Sequence, residues 1–165
     1  MKHKIYITGE KTGFKTLFIA VLIRRSVKAA LSAEGIFIPC SISVLLTDGM
    51  GIRELNRKFR DTDRETDVLS FPANELSPDF FDGESCEKDM KTGRIVLGDI
   101  AINLQRAAEQ GKRFGHGTKR EISYLTVHSV LHLLGYDHMD EGEEKQHMRS
   151  REKLIMASLG KGEEK

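Results

Sequence analysis

The sequence has little of what marks several classes of protein. It contains two cysteines, three prolines and no tryptophan among 165 residues. Cys40 and Cys86 are far apart and form no C-x-x-C pair, so neither a disulfide scaffold nor a cysteine-based zinc site is indicated, and a reducing cytosol is expected. Lysine and arginine (26) nearly balance aspartate and glutamate (25). Any contact with a polyanion therefore requires a local basic patch, not a global charge.

No apolar run is long enough to cross a membrane. The best candidate, LFIAVLI at residues 17–23, has seven residues, whereas a membrane span needs about 20. A signal peptide carries its charges before the apolar run, and here Arg24 and Arg25 follow it. We therefore interpret 17–23 as the buried face of a helix in a cytoplasmic protein that contacts no membrane.

Strand and helix patterns interleave along what we take to be one domain, residues 1–165, with a frayed tail at 161–165. Alternating or β-branched runs predict strands at 4–8, 41–47, 68–71 and 94–102. Apolar periodicity predicts helices at 12–34, after Asp48, at 103–111, at 118–134 and from Asp140 to about Gly160. This order indicates an α/β or α+β class with one small sheet backed by helices.

Three further features punctuate this pattern. Two capping boxes are predicted, Thr118 with Glu121 and Asp140 with Glu143. The acidic segment 73–92 is predicted to be a long surface loop, held down by its two adjacent phenylalanines.

Half of the six histidines lie in TVHSVLHLLGYDHMD, residues 126–140. His128 and His132 are four apart, so they share one face of a helix. Gly135 permits a sharp reversal that can return His138 to the same point. Three neutral imidazoles are a ligand set of catalytic zinc, with water in the fourth position. A lone histidine on an apolar helix is more often a core residue, but three in this spacing favour a metal site. His3, His116 and His147 lack such a pattern and are interpreted as surface residues.

The spacing H-x-x-x-H-x-x-G-x-x-H also occurs in the metzincin peptidases, which place a glutamate base directly after the first histidine. Ser129 occupies that position here. Serine cannot take a proton from water at neutral pH, so a metzincin-like zinc peptidase is the second choice of function.

The segment HSVLHLLGYDH resembles the hallmark of the YbeY endoribonuclease family, H-G-x-L-H-L-x-G-Y-D-H. It matches every fixed position except the second, where Ser129 replaces glycine. Residues 55–72 resemble the family's L-N-x-x-[YF]-R…T-D-V-L-S-F-P block, and 97–102 its L-G-D-I-x-I strand. The three blocks follow the family's order.

This resemblance implies an α+β fold, with a single small mixed β-sheet packed against several α-helices and a metal site in a cleft at a helix C-terminus. It implies one Zn²⁺ per chain, held by His128, His132 and His138. The activity implied is single-strand-specific endoribonuclease action in ribosomal RNA maturation, at the 3′ end of the small-subunit RNA, and in ribosome quality control. The implied partners are single-stranded RNA, ribosomal RNA and the ribosome.

The resemblance also implies that Arg60 faces the metal and is needed for activity. A guanidinium suits this role because it pairs bidentately with the phosphate oxygens that gain charge during cleavage. Nearby cations allow an RNA path or, equally, a solvated ion-paired face: Arg53, Arg57, Lys58 and Arg64. Capping or strand-end hydrogen bonds account for Asp67, Ser70 and Asp99.

A third possible function is a non-catalytic ribosome-binding module with a structural zinc, although structural sites are usually closed by four protein ligands.

Overall fold

The computed structural model describes residues 2–9, 14–137 and 142–161. One mixed sheet has the order β1-β2-β4-β3, in which β1, β2 and β4 are parallel and β3 is antiparallel to β4. The strands are β1 (Lys4–Gly9), β2 (Cys40–Thr47), β3 (Val68–Pro72) and β4 (Ile95–Asn103). The four predicted strands are confirmed, and so is the α+β class with a small mixed sheet.

Five helices surround this sheet in the described part of the chain. They are α1 (Phe14–Ala33), α2 (Gly49–Arg60), α3 (Leu104–Arg113), α4 (Gly117–Leu133) and α5 (Glu143–Lys161). Asp48 caps α2 as predicted, because its carboxylate accepts a hydrogen bond of 2.9 Å from the Gly51 N–H. The Asp140 of the second predicted capping box lies outside the described residues.

The two faces of the sheet are covered unequally. One face contributes to the main core, together with apolar side chains of α1, α4 and α5. The other face packs against α2 through a small cluster of Ile52, Leu69 and Ala101. Leu45, on β2, is 37% exposed. The protein therefore has a thick layer on one side of the sheet, which contains the helix that carries the histidines.

The predicted buried face of α1 is wrong in part. Leu17 is 65% exposed and Val21 is 56% exposed, whereas Ile23 and Val27 are fully buried. The apolar run 17–23 is almost two turns long, so it covers the whole circumference of the helix, and only one stripe can face the core. No helix among the described residues has the length and apolarity needed to cross a membrane.

The capping box predicted at Thr118 is wrong. Helix α4 begins one residue earlier, at Gly117, and its N-cap His116 makes no side-chain capping bond. Glu121 is buried, and its carboxylate bonds to the His116 ring at 2.5 Å. The glutamate is thus drawn into a partly buried hydrogen bond with His116 instead of returning to the helix start.

Residues 73–92 form a surface segment without a named helix or strand, as predicted. Only isolated bridges occur there, joining Ser77 to Phe80 and Lys88 to Ile95. Phe81 packs against the main core, but Phe80 is 70% exposed. One of the two phenylalanines therefore holds this segment down.

Gly135 ends the α4 region and lets the segment 73–92 approach. Its φ is +95°, and a Cβ built on it would lie 2.0 Å from the Leu76 carbonyl oxygen. The position therefore excludes side chains for two reasons, a left-handed backbone and a close backbone contact.

We expect Gly135→Ala to destabilise the protein much more than Gly93→Ala. Gly93 also has a positive φ, +69°, but a Cβ there would meet nothing within 4 Å. Gly93→Ala should lower the unfolding free energy by about 1–2 kcal/mol, which is the cost of placing a side chain in a left-handed backbone conformation. Gly135→Ala should add roughly 1–3 kcal/mol for the overpacked contact. Urea unfolding of both variants measures this, and equal losses would contradict the close contact with Leu76.

Candidate metal site on helix α4

His128 and His132 lie one turn apart on α4 and point to a common place. Their Nε2 atoms are 3.1 Å apart. The ring centroids are 4.6 Å apart, and the ring planes cross at 84°. The four-residue spacing therefore brings the two imidazoles together as the sequence predicts.

Hydrogen bonds at the other nitrogen hold each ring in place. His128 Nδ1 lies 2.6 Å from Glu152 Oε1, and His132 Nδ1 lies 2.8 Å from the Tyr136 carbonyl oxygen. Carbonyl and carboxylate oxygens only accept, so each Nδ1 must carry the hydrogen. In the neutral rings, Nε2 is then the atom with the lone pair.

Two such nitrogens suit one cation between them. Their lone pairs at 3.1 Å would repel each other unless a proton or a metal ion lay between them. Zinc binds imidazole nitrogen at about 2.0–2.1 Å, which allows this separation. Metal-ligating histidines also donate their second ring N–H to a carboxylate or carbonyl, as both rings do here. The donor chemistry of the pair therefore fits a divalent transition metal.

The third predicted ligand, His138, lies outside the described residues. Among residues 2–9, 14–137 and 142–161, no group of three or more histidine, cysteine, aspartate or glutamate side chains is arranged to hold a metal. The described part of the site is thus the α4 pair with its hydrogen-bond acceptors.

Arg60 lies at the C-terminal end of α2, beside the edge strand β3. Its Nη2 donates to the Ser70 carbonyl at 2.6 Å, and its guanidinium lies 5.4 Å from the centre of the Phe71 ring. The side chain is exposed and forms no ion pair with any described residue. The structure also joins it to neither His128 nor His132 by a hydrogen bond within the described ranges. Arg60 is therefore positioned by the Ser70 carbonyl and the Phe71 ring, and no described carboxylate neutralises its charge.

Comparison with known proteins bears on what this arrangement does. The family model for endoribonuclease YbeY matches residues 5–160. The chain belongs to the endoribonuclease YbeY family. It is 47% identical over 143 residues to endoribonuclease YbeY of Clostridium botulinum strain Loch Maree, covering 83% of this chain and 86% of that protein. It is 43% identical over 141 residues to that of Clostridium kluyveri strain NBRC 12016, covering 82% and 85%.

A solved structure shares the fold. The solution structure of a protein from Thermotoga maritima superposes with a TM-score of 0.55 and 28% identity, over 92% of this chain and 86% of that one. The family and fold expected from the histidine motif and its two accompanying blocks are thus confirmed.

Glu152 is the residue of the site that the sequence reasoning missed. The residue is 5% exposed, and besides bonding to His128 its carboxylate accepts a 3.1 Å hydrogen bond from the Tyr124 hydroxyl. Burial, and next the Glu152 charge, raise the pKa of Tyr124, so the phenol stays a neutral donor. Helical periodicity could have identified it, because Glu152 is a charged residue on the buried face of α5, which it shares with Met148, Ile155 and Met156.

Tyr136, in the YbeY motif, connects the site to three other parts of the fold. Its carbonyl accepts from His132, and its hydroxyl donates to Glu34 at 2.7 Å. Glu34 in turn pairs with Arg151 of α5 at 2.8 Å. The Tyr136 ring lies 5.3 Å from that of His147, which bonds to Asp79 in the segment 73–92 at 2.9 Å. The side chains of His116 and His147 are 30% and 41% exposed, and each bonds to a carboxylate.

One of the cations near Arg60 forms an ion pair on the surface. Arg53 forms two hydrogen bonds to the Asp63 carboxylate, at 2.8 and 3.2 Å, on the surface. This pair fits the ion-paired alternative for that face. The Asp67 carboxylate accepts from the Val68 N–H at 2.8 Å, which gives it the local structural role expected.

Ser129, at the glycine of the YbeY pattern, is fully buried, and its hydroxyl has no hydrogen-bond partner among the described residues. It therefore offers no base to the space in front of the histidines. Its surroundings explain why the position suits a residue without polar atoms.

We expect Ser129→Ala to raise the unfolding free energy by about 1 kcal/mol, because it removes a buried hydroxyl that lacks a partner. Ser26 is the matched control, since it is also helical and fully buried but donates to the Leu22 carbonyl at 2.9 Å. Ser26→Ala should be neutral or destabilising. Chemical unfolding of both variants tests the difference, and a loss of stability in Ser129→Ala would show that its hydroxyl is bonded in solution.

We also expect the neutral rings of His128 and His132 to be in the Nδ1–H form. The acceptors at Glu152 and Tyr136 impose this tautomer. Nitrogen-15 NMR of the imidazoles distinguishes the two tautomers. An Nε2–H tautomer at His132 would contradict the structure, because Nδ1 would then face a carbonyl oxygen without a hydrogen.

Proposed function

We propose that the protein is a metal-dependent, single-strand-specific endoribonuclease of ribosomal RNA maturation. In this proposal His128, His132 and His138 hold one zinc ion, and Arg60 binds the phosphate. The observation that carries it is the pair of Nε2 atoms 3.1 Å apart, each with its Nδ1 held by an oxygen acceptor. Membership of the endoribonuclease YbeY family supports the RNA-cleaving activity.

The finer assignment extends the family resemblance to this chain. It includes action at the 3′ end of the small-subunit RNA, a part in ribosome quality control, association with the ribosome and a cytoplasmic location. The balanced charge of the chain supports a local RNA-binding surface and not a globally basic one.

The protein residues prepare the site for a cation. When bound, zinc supplies a Lewis acid that polarises the phosphate or lowers the pKa of a water molecule. The Glu152 carboxylate makes the Nε2 atom of His128 a stronger metal ligand and fixes the orientation of the ring. The Tyr136 carbonyl fixes His132 in the same way but without a charge. Because α4 is largely buried, the two rings keep their relative orientation.

Arg60 supplies the charge that a cleaved phosphodiester needs. Negative charge grows on the non-bridging oxygens as the bond breaks, and a guanidinium binds two such oxygens at once. The Ser70 carbonyl uses one Nη2 donor of Arg60. A guanidinium has five N–H donors, so others remain for a phosphate.

We expect His132→Ala to lose most of the bound metal, whereas the wild-type protein should hold about one divalent ion per chain. His3→Ala is the control, because His3 accepts a hydrogen bond from the Cys40 N–H at the start of β2 and none joins it to α4 among the described residues. Elemental analysis of the purified proteins gives the metal content. Full retention by His132→Ala would show that the ligand set is wrong.

We expect Arg60→Ala to keep its metal and lose about a hundredfold in cleavage rate, or about 3 kcal/mol of transition-state stabilisation. Arg60→Lys should recover only part, since a point charge cannot form the bidentate fork. Losing the exposed contacts with Ser70 and Phe71 should lower the unfolding free energy by roughly 1–2 kcal/mol at most. Cleavage of a single-stranded RNA, metal content and thermal melting are compared with Arg53→Ala, a surface arginine already paired with Asp63.

Undiminished cleavage by Arg60→Ala would remove the role assigned to it, and a large fall in melting temperature would make the residue structural. Hydrolysis of casein that disappears in His128→Ala would instead favour the metzincin-like peptidase, despite Ser129.

A further inference from the structure

A groove runs between α4 and α5 and begins at His128. A cavity of about 270 Å³ is lined by Tyr124, His128, Lys145, Met148, Arg149 and Glu152. A second, of about 420 Å³, shares Tyr124, Arg149 and Glu152 with it and extends to Arg120 and Lys153. The shared residues make the two cavities one continuous groove.

Two rows of side chains at four-residue spacing line this groove. Helix α4 contributes Arg120, Tyr124 and His128, and α5 contributes Lys145, Arg149 and Lys153. Residues four apart share a helix face, so each row is a stripe along its helix. From Arg120 to His128 the α4 stripe is about 12 Å long, at about 1.5 Å per residue.

Three cations of the groove are not neutralised by any residue that the structure describes. Arg120, Arg149 and Lys153 are exposed and form no ion pair within the described residues. The carboxylate of the groove, Glu152, is buried and bonded to His128 and Tyr124. Elsewhere Arg53, Arg106 and Arg151 all have carboxylate partners.

Fold stability does not explain the α5 row. Like charges four residues apart on a helix destabilise it by about 0.2–0.5 kcal/mol per pair. Arg149 and Lys153 form such a pair. A ligand with regularly spaced negative charges would remove this repulsion when it binds.

We infer that the phosphates of the RNA strand lie along this groove, on Arg120, Arg149 and Lys153, and lead its scissile bond to His128. This inference rests on the proposed ribonuclease function and specifies where the substrate binds. The inference also favours this groove over a second possible path for the RNA, the basic surface on α2. On that surface Arg53 is already paired with Asp63.

The test compares two triple variants with the same change in charge. The groove variant is Arg120→Gln, Arg149→Gln and Lys153→Gln, which keeps much of each side-chain stem. The control is Arg24→Gln, Lys28→Gln and Lys112→Gln, three exposed cations that line neither cavity. Cleavage of a short fluorescein-labelled single-stranded RNA is measured over a series of NaCl concentrations, with metal content and thermal melting.

The groove variant should raise KM about tenfold at low salt and leave kcat and metal content near the wild-type values. Its log KM should depend less on log salt, by about 2 in slope, because each phosphate contact on a single strand contributes about 0.7. Its melting temperature should equal or exceed that of the wild type, since the like-charge pair of α5 is relieved. The control should change none of these quantities.

Equal KM and salt slope in the two triple variants would overturn the inference. A fall in kcat without a change in KM would also overturn it, since the groove would then act on chemistry and not on binding. Stronger competition by polyglutamate than by unlabelled RNA would assign the groove to an acidic protein segment. If the wild type does not cleave the RNA, the proposed function fails. Fluorescence anisotropy with the intact RNA then tests the groove directly, and undiminished binding by the groove variant would refute it.

Discussion

The hydrogen bonds at the Nδ1 atoms of His128 and His132 determine what the site can do. Each bond commits one side of a ring to an oxygen of the protein, and so directs the basic nitrogen of both rings to the same 3.1 Å gap. Neither acceptor comes from α4 itself. One is a side chain of α5 and the other is a backbone carbonyl beyond Gly135. The geometry of the pair therefore depends on tertiary structure, although its spacing is local.

Burial strengthens these hydrogen bonds and also makes any polar group left unpaired in the core costly in free energy. Helix α4 carries Glu121, Thr126 and Ser129 in buried positions, and Glu152 faces it from α5. Both buried glutamates are bonded to a histidine, and Thr126 donates to the Ile122 carbonyl. A buried carboxylate without such a partner would cost several kcal/mol. The two glutamates and Thr126 are thus compatible with burial because they are paired, whereas the Ser129 hydroxyl has no partner among the described residues.

The sequence predicted the fold well where a pattern is local. The four strands, the Asp48 cap and the long surface segment follow from alternation, capping chemistry and composition. It failed where a choice depends on the rest of the fold. The run 17–23 is apolar on all sides, so its composition could not tell which stripe faces the core. Glu121 matched a capping box, but a partly buried bond to His116 determines its position.

The candidate site shows the same division. The four-residue spacing was sufficient to place His128 beside His132, since helix geometry alone fixes it. Glu152 is 24 residues from His128 and reaches it only because α5 packs on α4. Arg60 became a candidate through family resemblance, and the carbonyl and ring that hold it come from β3, which no spacing rule connects to α2.

Tyr136 has a consequence for how the molecule responds to a ligand. Its carbonyl contacts His132, its hydroxyl contacts Glu34, which follows the last residue of α1, and its ring contacts His147, which bonds to Asp79 of the segment 73–92. A ligand that binds only the folded state stabilises it by an amount that grows with concentration above its Kd. Through Tyr136 this stabilisation extends beyond the site. Amide hydrogens at the end of α1 and in the segment 73–92 should then exchange more slowly when a ligand binds the histidines. Binding at α4 is thus detectable in parts of the chain that do not contact the ligand.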